Sequence, residues 1–179
     1  MNKRKIMRSY DATSEIYDDR YEEEQNRKYC TALQKVDIEG KVVLDAGCGS
    51  GLFLNKVALK VQLVVGVDIS GKILRKAKRK VRPFENVLLL QADIDHLPFK
   101  DDFFERIFTF TVLQNVTKPK KAIKELQRVA RTKQKIVLTG LKKVFSFEKF
   151  MDILGGSSMN LTTFIDDEAV NCYVAVLCT

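Results

Sequence analysis

Short runs of Val, Ile, Leu and Phe alternate along most of the chain with segments in which apolar residues recur every three or four positions. This alternation is typical of parallel strands joined by crossover helices, so the pattern predicts an α/β fold. Five strands are predicted, at residues 41–45, 63–68, 87–91, 106–110 and 135–139. The helices between them are predicted to begin near Leu52, Ser70 and Pro119.

The two ends of the chain follow other patterns. Residues 10–34 contain few helix breakers and many charges, which predicts one or two helices lying over the domain. Residues 145–154 have a helical pattern that ends at two glycines, and two β-like runs follow, MNLTTFI and CYVAVLC. The six residues between these runs, 166–171, permit an antiparallel pair and are too few for a crossover helix. The sheet is therefore predicted to end in a hairpin.

A chain of 179 residues, 45% of them hydrophobic, is long enough for one domain with a sizeable core. We divide it into an N-terminal helical cap (1–37), a central core (38–140) and a C-terminal helix and hairpin (141–179). No apolar run approaches the ~20 residues that span a bilayer. The basic start, MNKRKIMR, has no apolar stretch behind it, as a signal peptide would. We expect a cytoplasmic protein that does not contact membranes.

The formal net charge of +8 is concentrated in residues 3–8, 72–82 and 118–135. Such an excess favours acidic partners, although charge by itself is a weak signal for nucleic-acid binding. The alternative is that the second and third runs are exposed faces of amphipathic helices, since apolar residues recur inside them at helical spacing. The four cysteines form no CxxC pair, and the chain has a single histidine, His96. We therefore expect reduced thiols and no metal site.

The stretch VVLDAGCGSG, residues 42–51, carries the most specific chemistry. An apolar strand leads into Asp45 and then into Gly47, Gly49 and Gly51, at the first strand-to-helix turn, where doubly wound sheets usually contact a ligand. Glycines let the backbone turn sharply and approach that ligand closely. A dinucleotide fingerprint would have a glycine in place of Leu52, and a carboxylate at Asp45 would repel a pyrophosphate. The loop therefore argues against NAD or FAD and favours a cationic ligand.

Two more acidic residues follow the next two strands. Asp68 closes the run VVGVD, where a carboxylate can accept hydrogen bonds from both hydroxyls of a ribose, and Asp93 follows LLLQA. A ribose, an exocyclic amine and a positive charge without phosphate are the features of S-adenosylmethionine. Two alternatives remain open at this point. Asp68 could serve only as a helix cap ahead of Ser70, and Asp95 could take the place of Asp93.

The segments VVLDAGCGSG, VVGVDIS and QADIDHLPFKDDFFERIFTFTVLQNV resemble, in order and spacing, motifs of the class I S-adenosylmethionine-dependent methyltransferases, specifically the UbiE-like or methyltransferase type 11 group. The resemblance covers residues 10–139. It implies an enzyme of this class with S-adenosylmethionine as cofactor. It also implies a Rossmann-like, doubly wound, seven-stranded sheet that is mostly parallel, ends in an antiparallel hairpin and has the strand order 3-2-1-4-5-7-6.

The resemblance also implies which residues contact the cofactor. They are Tyr17, Asp45, Ala46, Gly47, Cys48, Gly49, Gly51, Asp68, Ile69, Asp93, Ile94 and Thr111. In the family pattern the Asp45 position lies near the methionine amino group and the glycine loop runs under the cofactor. Asp68 would bind the ribose, Ile69 would pack on the adenine, and Asp93 with Ile94 would lie at the adenine edge.

Residues 109–114, which include Thr111, would line the methyl-transfer pocket, and Tyr10, Tyr17 and Tyr21 would form a lid. No catalytic base is identified. His96 lies in the HLPF loop of the family pattern and is interpreted as structural. The chain departs from the pattern at VARTKQKIVL, which lacks the Pro-Gly-Gly turn usual before the fifth strand. The loop at that point is therefore left undefined.

The methyl acceptor is the least defined part of the prediction. No long insertion follows the fourth or fifth strand, which indicates an open site, and together with the basic charge this favours RNA or protein over a small molecule. Transfer to nitrogen or oxygen would be a direct in-line displacement. A small acceptor remains open if the N-terminal helix closes the site. Residues 161–165 could offer an edge to an activating subunit. A catalytically silent cofactor-binding partner protein is a further alternative.

Overall fold

The computed structural model describes residues 17–179, with side chains from residue 22 onward. One sheet of seven strands forms the centre of this part of the chain. The strands are β1 (Val42–Ala46), β2 (Leu63–Asp68), β3 (Val87–Gln91), β4 (Phe104–Thr109), β5 (Ala130–Leu141), β6 (Asn160–Ile165) and β7 (Cys172–Cys178). Their order across the sheet is β3-β2-β1-β4-β5-β7-β6, as predicted.

Strands β1 to β5 pair in parallel, and β7 pairs antiparallel with both β5 and β6. The predicted C-terminal hairpin is therefore confirmed. The strand order reverses direction at β1, which lies between β2 and β4. Connections diverge to opposite faces at such a point, so a crevice opens beyond the carboxyl ends of β1 and β4.

Five helices of the described chain flank the sheet: α1 (Tyr17–Leu33), α2 (Leu52–Val57), α3 (Gly71–Lys80), α4 (Pro119–Val129) and α5 (Phe147–Leu154). Short 3₁₀ turns occupy Ala58–Lys60 and Leu113–Asn115. Helices α1, α2 and α3 pack on one face of the sheet, and α4 and α5 pack on the other. Within the described chain, no helix combines the length and the apolar composition that crossing a membrane requires.

The basic runs on α3 and α4 lie outside the core. Ile73, Leu74 and Ala77 of α3 are buried, while most of the lysines and arginines between them are exposed. Helix α4 repeats the arrangement with four buried apolar residues, Ala122, Ile123, Leu126 and Val129. These two runs therefore lie on the exposed faces of amphipathic helices, and the preference for an acidic partner stays a prediction.

Strand β5 is longer than predicted. Helix α4 ends at Val129 and β5 begins at the next residue, Ala130, which has an extended backbone and pairs with Phe104. The chain passes directly from helix to strand, so the described structure has no turn at the point where the family pattern has Pro-Gly-Gly. The early pairing is followed by an irregularity in the register between Phe104 and Arg106.

A loop, residues 92–103, connects β3 to β4 where a crossover helix would be usual. Arg128 of α4 fastens this loop by donating to the carbonyl oxygens of Leu97 at 3.0 Å and Phe99 at 2.8 Å, and to Asp101 Oδ1 at 2.6 Å. Glu125 braces the guanidinium from the same helix. No helix in the described part of the chain stands in place of this loop, and Leu88 of β3 is 54% exposed.

The ring of Phe53 on α2 packs between helix α1 and the sheet. Its centroid lies 5.1 Å from that of Tyr29 on α1, 4.7 Å from that of Phe108 on β4 and 5.0 Å from that of Phe110. The side chain is almost completely buried. Aromatic groups packed at these separations contribute beyond the area that they bury.

We expect Phe53→Ala to lower the free energy of unfolding by about 3–5 kcal/mol, because a buried ring is replaced by a cavity. Urea denaturation followed by circular dichroism measures the change. The matched control is Leu59→Ala, since Leu59 is 88% exposed and its loss should cost less than about 0.5 kcal/mol. Equal losses for the two variants would contradict this account of the core.

Candidate active site

The glycine loop, residues 47–51, is anchored to the end of β2. The backbone N–H groups of Gly47 and Cys48 both donate to the carbonyl oxygen of Val67, at 2.7 and 2.9 Å. Asp45 and Ala46 are the last two residues of β1 and lie directly before the loop, both buried. The loop therefore starts at the carboxyl end of β1 and crosses the carboxyl end of its neighbour.

Two glycines of the loop face different surroundings. Gly47 has φ 90°, and a Cβ at that position would overlap the side chain of Val112, so the loop packs directly against the segment after β4. Gly49 has φ 53°, and a Cβ there would have Ile73 Cδ1, at 3.9 Å, as its nearest neighbour. The backbone at Gly49 is therefore open on the side where a ligand could approach it.

Asp68 ties the loop to the end of β2. Its Oδ2 accepts a hydrogen bond from the N–H of Gly49 at 3.0 Å, and its Oδ1 accepts one from the N–H of Ser70 at 2.9 Å. The N-cap of α3 is Ser70, whose Oγ accepts from the N–H of Ile73 at 3.2 Å. Helix capping is therefore the function of Ser70, while Asp68 positions the loop. A carboxylate has about four acceptor positions, so ribose binding by Asp68 stays a prediction.

The carboxyl group of Asp45 is buried and has no counter-charge among the described residues. Asp45 is 2% exposed, and no described group makes a hydrogen bond to its Oδ2. Burial, and then the negative charge of Asp68, raise the pKa of Asp45 well above its ordinary value. Burial and both carboxylates also raise the pKa of the Cys48 thiol, which makes this thiol neutral and a poor nucleophile at neutral pH.

A pocket opens above the loop and contains residues that the sequence analysis missed. It is lined by Gln25, Tyr29, Asp45, Gly47, Cys48, Gly49, Ser50, Leu52 and Phe110. Four of these were predicted to bind the cofactor. Gln25 and Tyr29 come from α1 and were not predicted. The signal that could have revealed them is the spacing of Gln25, Lys28, Tyr29 and Ala32, which places polar side chains on the buried face of a helix.

Thr111, directly after β4, is held in a strained conformation by several hydrogen bonds. Its φ is 61°, which is unusual for a β-branched residue. Its N–H donates to Thr139 Oγ1 at 2.7 Å, and its carbonyl oxygen accepts from Gln114 Nε2 at 2.6 Å. Its Oγ1 accepts from Gln25 Nε2 at 3.4 Å and from Lys28 Nζ at 3.3 Å. Strain that is held in this way is typical of functional segments.

The remaining predicted residues lie at the same edge of the sheet but do not line the pocket. Ile69 is half-buried beside Asp68, and Gly51 is the N-cap of α2. Asp93 Oδ1 accepts from the N–H of Asp95 at 3.1 Å, within the loop after β3, and Ile94 is buried. The adenine-edge assignment of Asp93 and Ile94 therefore stays a prediction.

The lid tyrosines and the histidine complete the list of candidates. Tyr10 lies outside the described residues, and the side chains of Tyr17 and Tyr21 lie outside the described part as well. His96 is exposed, with its Nε2 2.6 Å from Lys121 Nζ at the start of α4, and it does not line the pocket. No three His, Cys, Asp or Glu side chains from residue 22 onward come together as metal ligands would.

The sequence matches the family described as "Methyltransferase domain" over residues 44–138, which is just over half of the chain. The chain belongs to this family. The structure of an S-adenosylmethionine-dependent methyltransferase from Aquifex aeolicus has the same fold, with a TM-score of 0.81 and 21% identity. The superposition covers 94% of this chain and 97% of the other. The protein therefore contains a class I S-adenosylmethionine-dependent methyltransferase domain, and S-adenosylmethionine is its cofactor.

Two curated relatives show a closer sequence similarity over part of their length. The demethylmenaquinone methyltransferase of Clavibacter sepedonicus is 30% identical over 111 residues, which are 62% of this chain and 45% of the relative. The malonyl-[acyl-carrier protein] O-methyltransferase of Halorhodospira halophila is 29% identical over 133 residues, 72% of this chain and 45% of the relative. The chain thus spans less than half the length of these two relatives.

The site of this methyltransferase domain fits the cofactor on two independent observations. The buried Asp45 carboxyl has an oxygen without a partner in the described chain, as an ammonium group would require. The open face at Gly49 allows a ligand to lie against the backbone. Asp45, Gly49 and Asp68 are the residues that would hold the cofactor here.

We expect Asp45→Asn to stabilise the protein and to weaken its cofactor binding. The pKa of Asp45 is higher in the folded chain than in the unfolded chain, so the folded state holds the carboxyl proton more tightly. The free energy of unfolding therefore falls as the pH rises from the unfolded-state pKa through the folded-state pKa. The amide side chain of the Asp45→Asn variant is neutral at every pH, so the variant does not undergo this loss of stability. The free energy of unfolding of Asp45→Asn should therefore exceed that of the wild type at pH 8, with a smaller difference at pH 4.

Urea denaturation at both pH values measures the stability, and calorimetric titration with S-adenosylhomocysteine should show at least about tenfold weaker binding. Glu85→Gln is the control, because Glu85 is an exposed carboxylate outside the pocket. A variant that binds normally would contradict the assignment of Asp45 to the ammonium group.

Proposed function

We propose that the protein transfers the methyl group of S-adenosylmethionine to a nitrogen or oxygen of a small-molecule acceptor enclosed beneath helix α1. The observation that carries this proposal is the contact of α1 with the segment after β4. Gln25 and Lys28 both donate to Thr111, and the ring of Tyr29 lies 4.7 Å from that of Phe110. These contacts support a site in which the helix lies over the approaching acceptor.

The cofactor supplies an electrophilic methyl carbon on a positively charged sulfur. The chain's own residues bind and orient the reactants. Asp45 would accept from the methionine amino group, the loop at Gly47 and Gly49 would lie under the cofactor, and Asp68 would hold the ribose. Ile69, Asp93 and Ile94 would surround the adenine. Alignment and exclusion of water supply much of the rate enhancement in a direct displacement, so a covalent role for a side chain is not required.

A site covered by helix α1 favours a small acceptor over the RNA or protein acceptor that the sequence favoured. The prediction of an open site rested on the lack of insertions after β4 and β5, but α1 takes the place of such an insertion. The names of the two curated relatives support a small acceptor or acyl group, since one is named for demethylmenaquinone and the other for a malonyl group on a carrier protein. The sequence left a small acceptor open if the N-terminal helix closes the site, and α1 is that helix.

RNA or protein is the second candidate acceptor, because the net charge of +8 would attract an acidic polymer. The exposed lysines of α3 and α4 provide the surface for it. The activating subunit also stays a prediction. Strand β6, the edge strand expected to receive it, lies at the edge of the sheet, and its Leu161 is exposed.

We expect calorimetric titration to show binding of S-adenosylmethionine and S-adenosylhomocysteine and no binding of NAD, because the loop offers a carboxylate where a pyrophosphate would lie. Incubation with radiolabelled S-adenosylmethionine and cell extract fractions should then label the small-molecule fraction. Radioactivity in the RNA or protein fraction would contradict the small-molecule acceptor and support the second candidate. Cofactor binding without label in any fraction would indicate a catalytically silent partner protein.

Asp68→Ala should weaken the binding of S-adenosylhomocysteine by about tenfold or more, because the ribose bonds and the anchor on Gly49 are both lost. Ser70→Ala is the matched control. It removes the α3 cap, at a cost of about 1 kcal/mol of stability, and leaves the predicted ribose contacts in place. Unchanged affinity in Asp68→Ala, measured by calorimetry, would contradict the ribose assignment.

A further inference from the structure

Gln25 on α1 is a buried polar residue, and the roles assigned above use its amide N–H group but not its amide oxygen. It is 5% exposed and lines the cofactor pocket. Its Nε2 donates to Thr111 Oγ1 at 3.4 Å, and its Oε1 has no hydrogen-bond partner in the described part of the chain. Leaving a buried acceptor unpaired is unfavourable, so such an atom calls for an explanation.

A second acceptor of the same kind lines the same pocket. Asp45 Oδ2 is buried and has no partner among the residues described, and Asp45 belongs to β1, a different element from α1. Two unpaired acceptors that line one pocket suit a ligand group with several N–H donors. An ammonium group has three donors and a positive charge that suits the carboxylate.

We propose that Gln25 Oε1 and Asp45 Oδ2 together accept hydrogen bonds from the amino group of the cofactor's methionine moiety, which makes Gln25 a cofactor-binding residue. This inference rests on the proposed function and extends it to helix α1. The helix that covers the acceptor segment then also contributes to cofactor affinity. The side-chain amide of Gln25 would thus bind the cofactor through its oxygen and hold α1 to Thr111 through its N–H group.

The charge of Lys28 does not oppose this arrangement. Its Nζ, although buried, lies 2.8 Å from Glu24 Oε1 and 3.3 Å from Thr111 Oγ1. Glu24 therefore balances the ammonium of Lys28 within the same helix. Burial and the negative charge of Asp68 both raise the pKa of Asp45, so an ammonium group of the ligand would stabilise the charged form of this carboxyl.

The experiment compares two probes that differ in the amino acid part. S-adenosylhomocysteine carries the ammonium group, and 5′-methylthioadenosine keeps the nucleoside and lacks the whole amino acid moiety. We expect Gln25→Leu to bind S-adenosylhomocysteine about tenfold more weakly than the wild type does, and to bind 5′-methylthioadenosine within about twofold of it. Gln25→Glu keeps an acceptor oxygen and adds a negative charge, so it should bind S-adenosylhomocysteine at least as tightly as the wild type.

Asn26→Leu is the matched control, because it makes the same kind of change at the next position of α1, outside the pocket. It should leave both affinities unchanged. Thermal unfolding verifies that each variant is folded. The double variant Asp45→Asn with Gln25→Leu should lose less affinity than the product of the two single losses, because both side chains hold one group.

Three results with the variants would overturn the inference. Gln25→Leu could bind S-adenosylhomocysteine as the wild type does, or it could lose affinity for both probes equally, which would indicate a change in α1 rather than a lost bond. Gln25→Glu could bind more weakly than Gln25→Leu, which would place the amide N–H group, and a carboxylate of the ligand, in the pocket. A wild-type protein that binds neither S-adenosylmethionine nor S-adenosylhomocysteine would overturn the proposed function itself, and the inference with it.

Discussion

Strand β1 pairs in parallel with β2 on one side and with β4 on the other, and the geometry of the site depends on this pairing. In the register, Asp45 lies opposite Gly66 of β2 and Phe108 of β4. Because parallel strands end at the same edge, the glycine loop, Asp68 and the segment at Thr111 all meet beyond the carboxyl ends of three neighbouring strands. The lack of a side chain at Gly47 then allows the loop to touch Val112.

The site carries features that reduce stability. Asp45 is buried beside Asp68, with no cation from residue 22 onward to balance it, and Thr111 has a backbone conformation that β-branched residues rarely adopt. Such features persist only where the surrounding structure holds them, and here Thr139, Gln114, Gln25 and Lys28 bond to Thr111. Sites that bind a charged ligand commonly lose stability in this way, since a pocket that satisfied its own groups would leave none for the ligand.

Helix α1 belongs both to the core and to the site. Its Tyr29 packs among the rings of Phe53 and Phe110, so the helix is fixed to the sheet by apolar contact. The same face presents Gln25 and Lys28 to the segment after β4. The fold of this small domain thus covers its site with a helix from the beginning of the described chain, where a larger protein could use an inserted loop.

The pattern of residues alone determined the strands, the α/β class and the closing hairpin, because strand and helix periods and glycine positions act over short distances. The full strand order and the roles of the glycine loop came from the resemblance to a family. Tertiary structure decided what depends on distant partners. Gln25 and Thr111 are 86 positions apart, Asp68 and Gly49 are 19 apart, and the start of β5 is set by the pairing of Ala130 with Phe104. No local pattern encodes these contacts, since each exists only when the sheet brings separate strand ends to one edge.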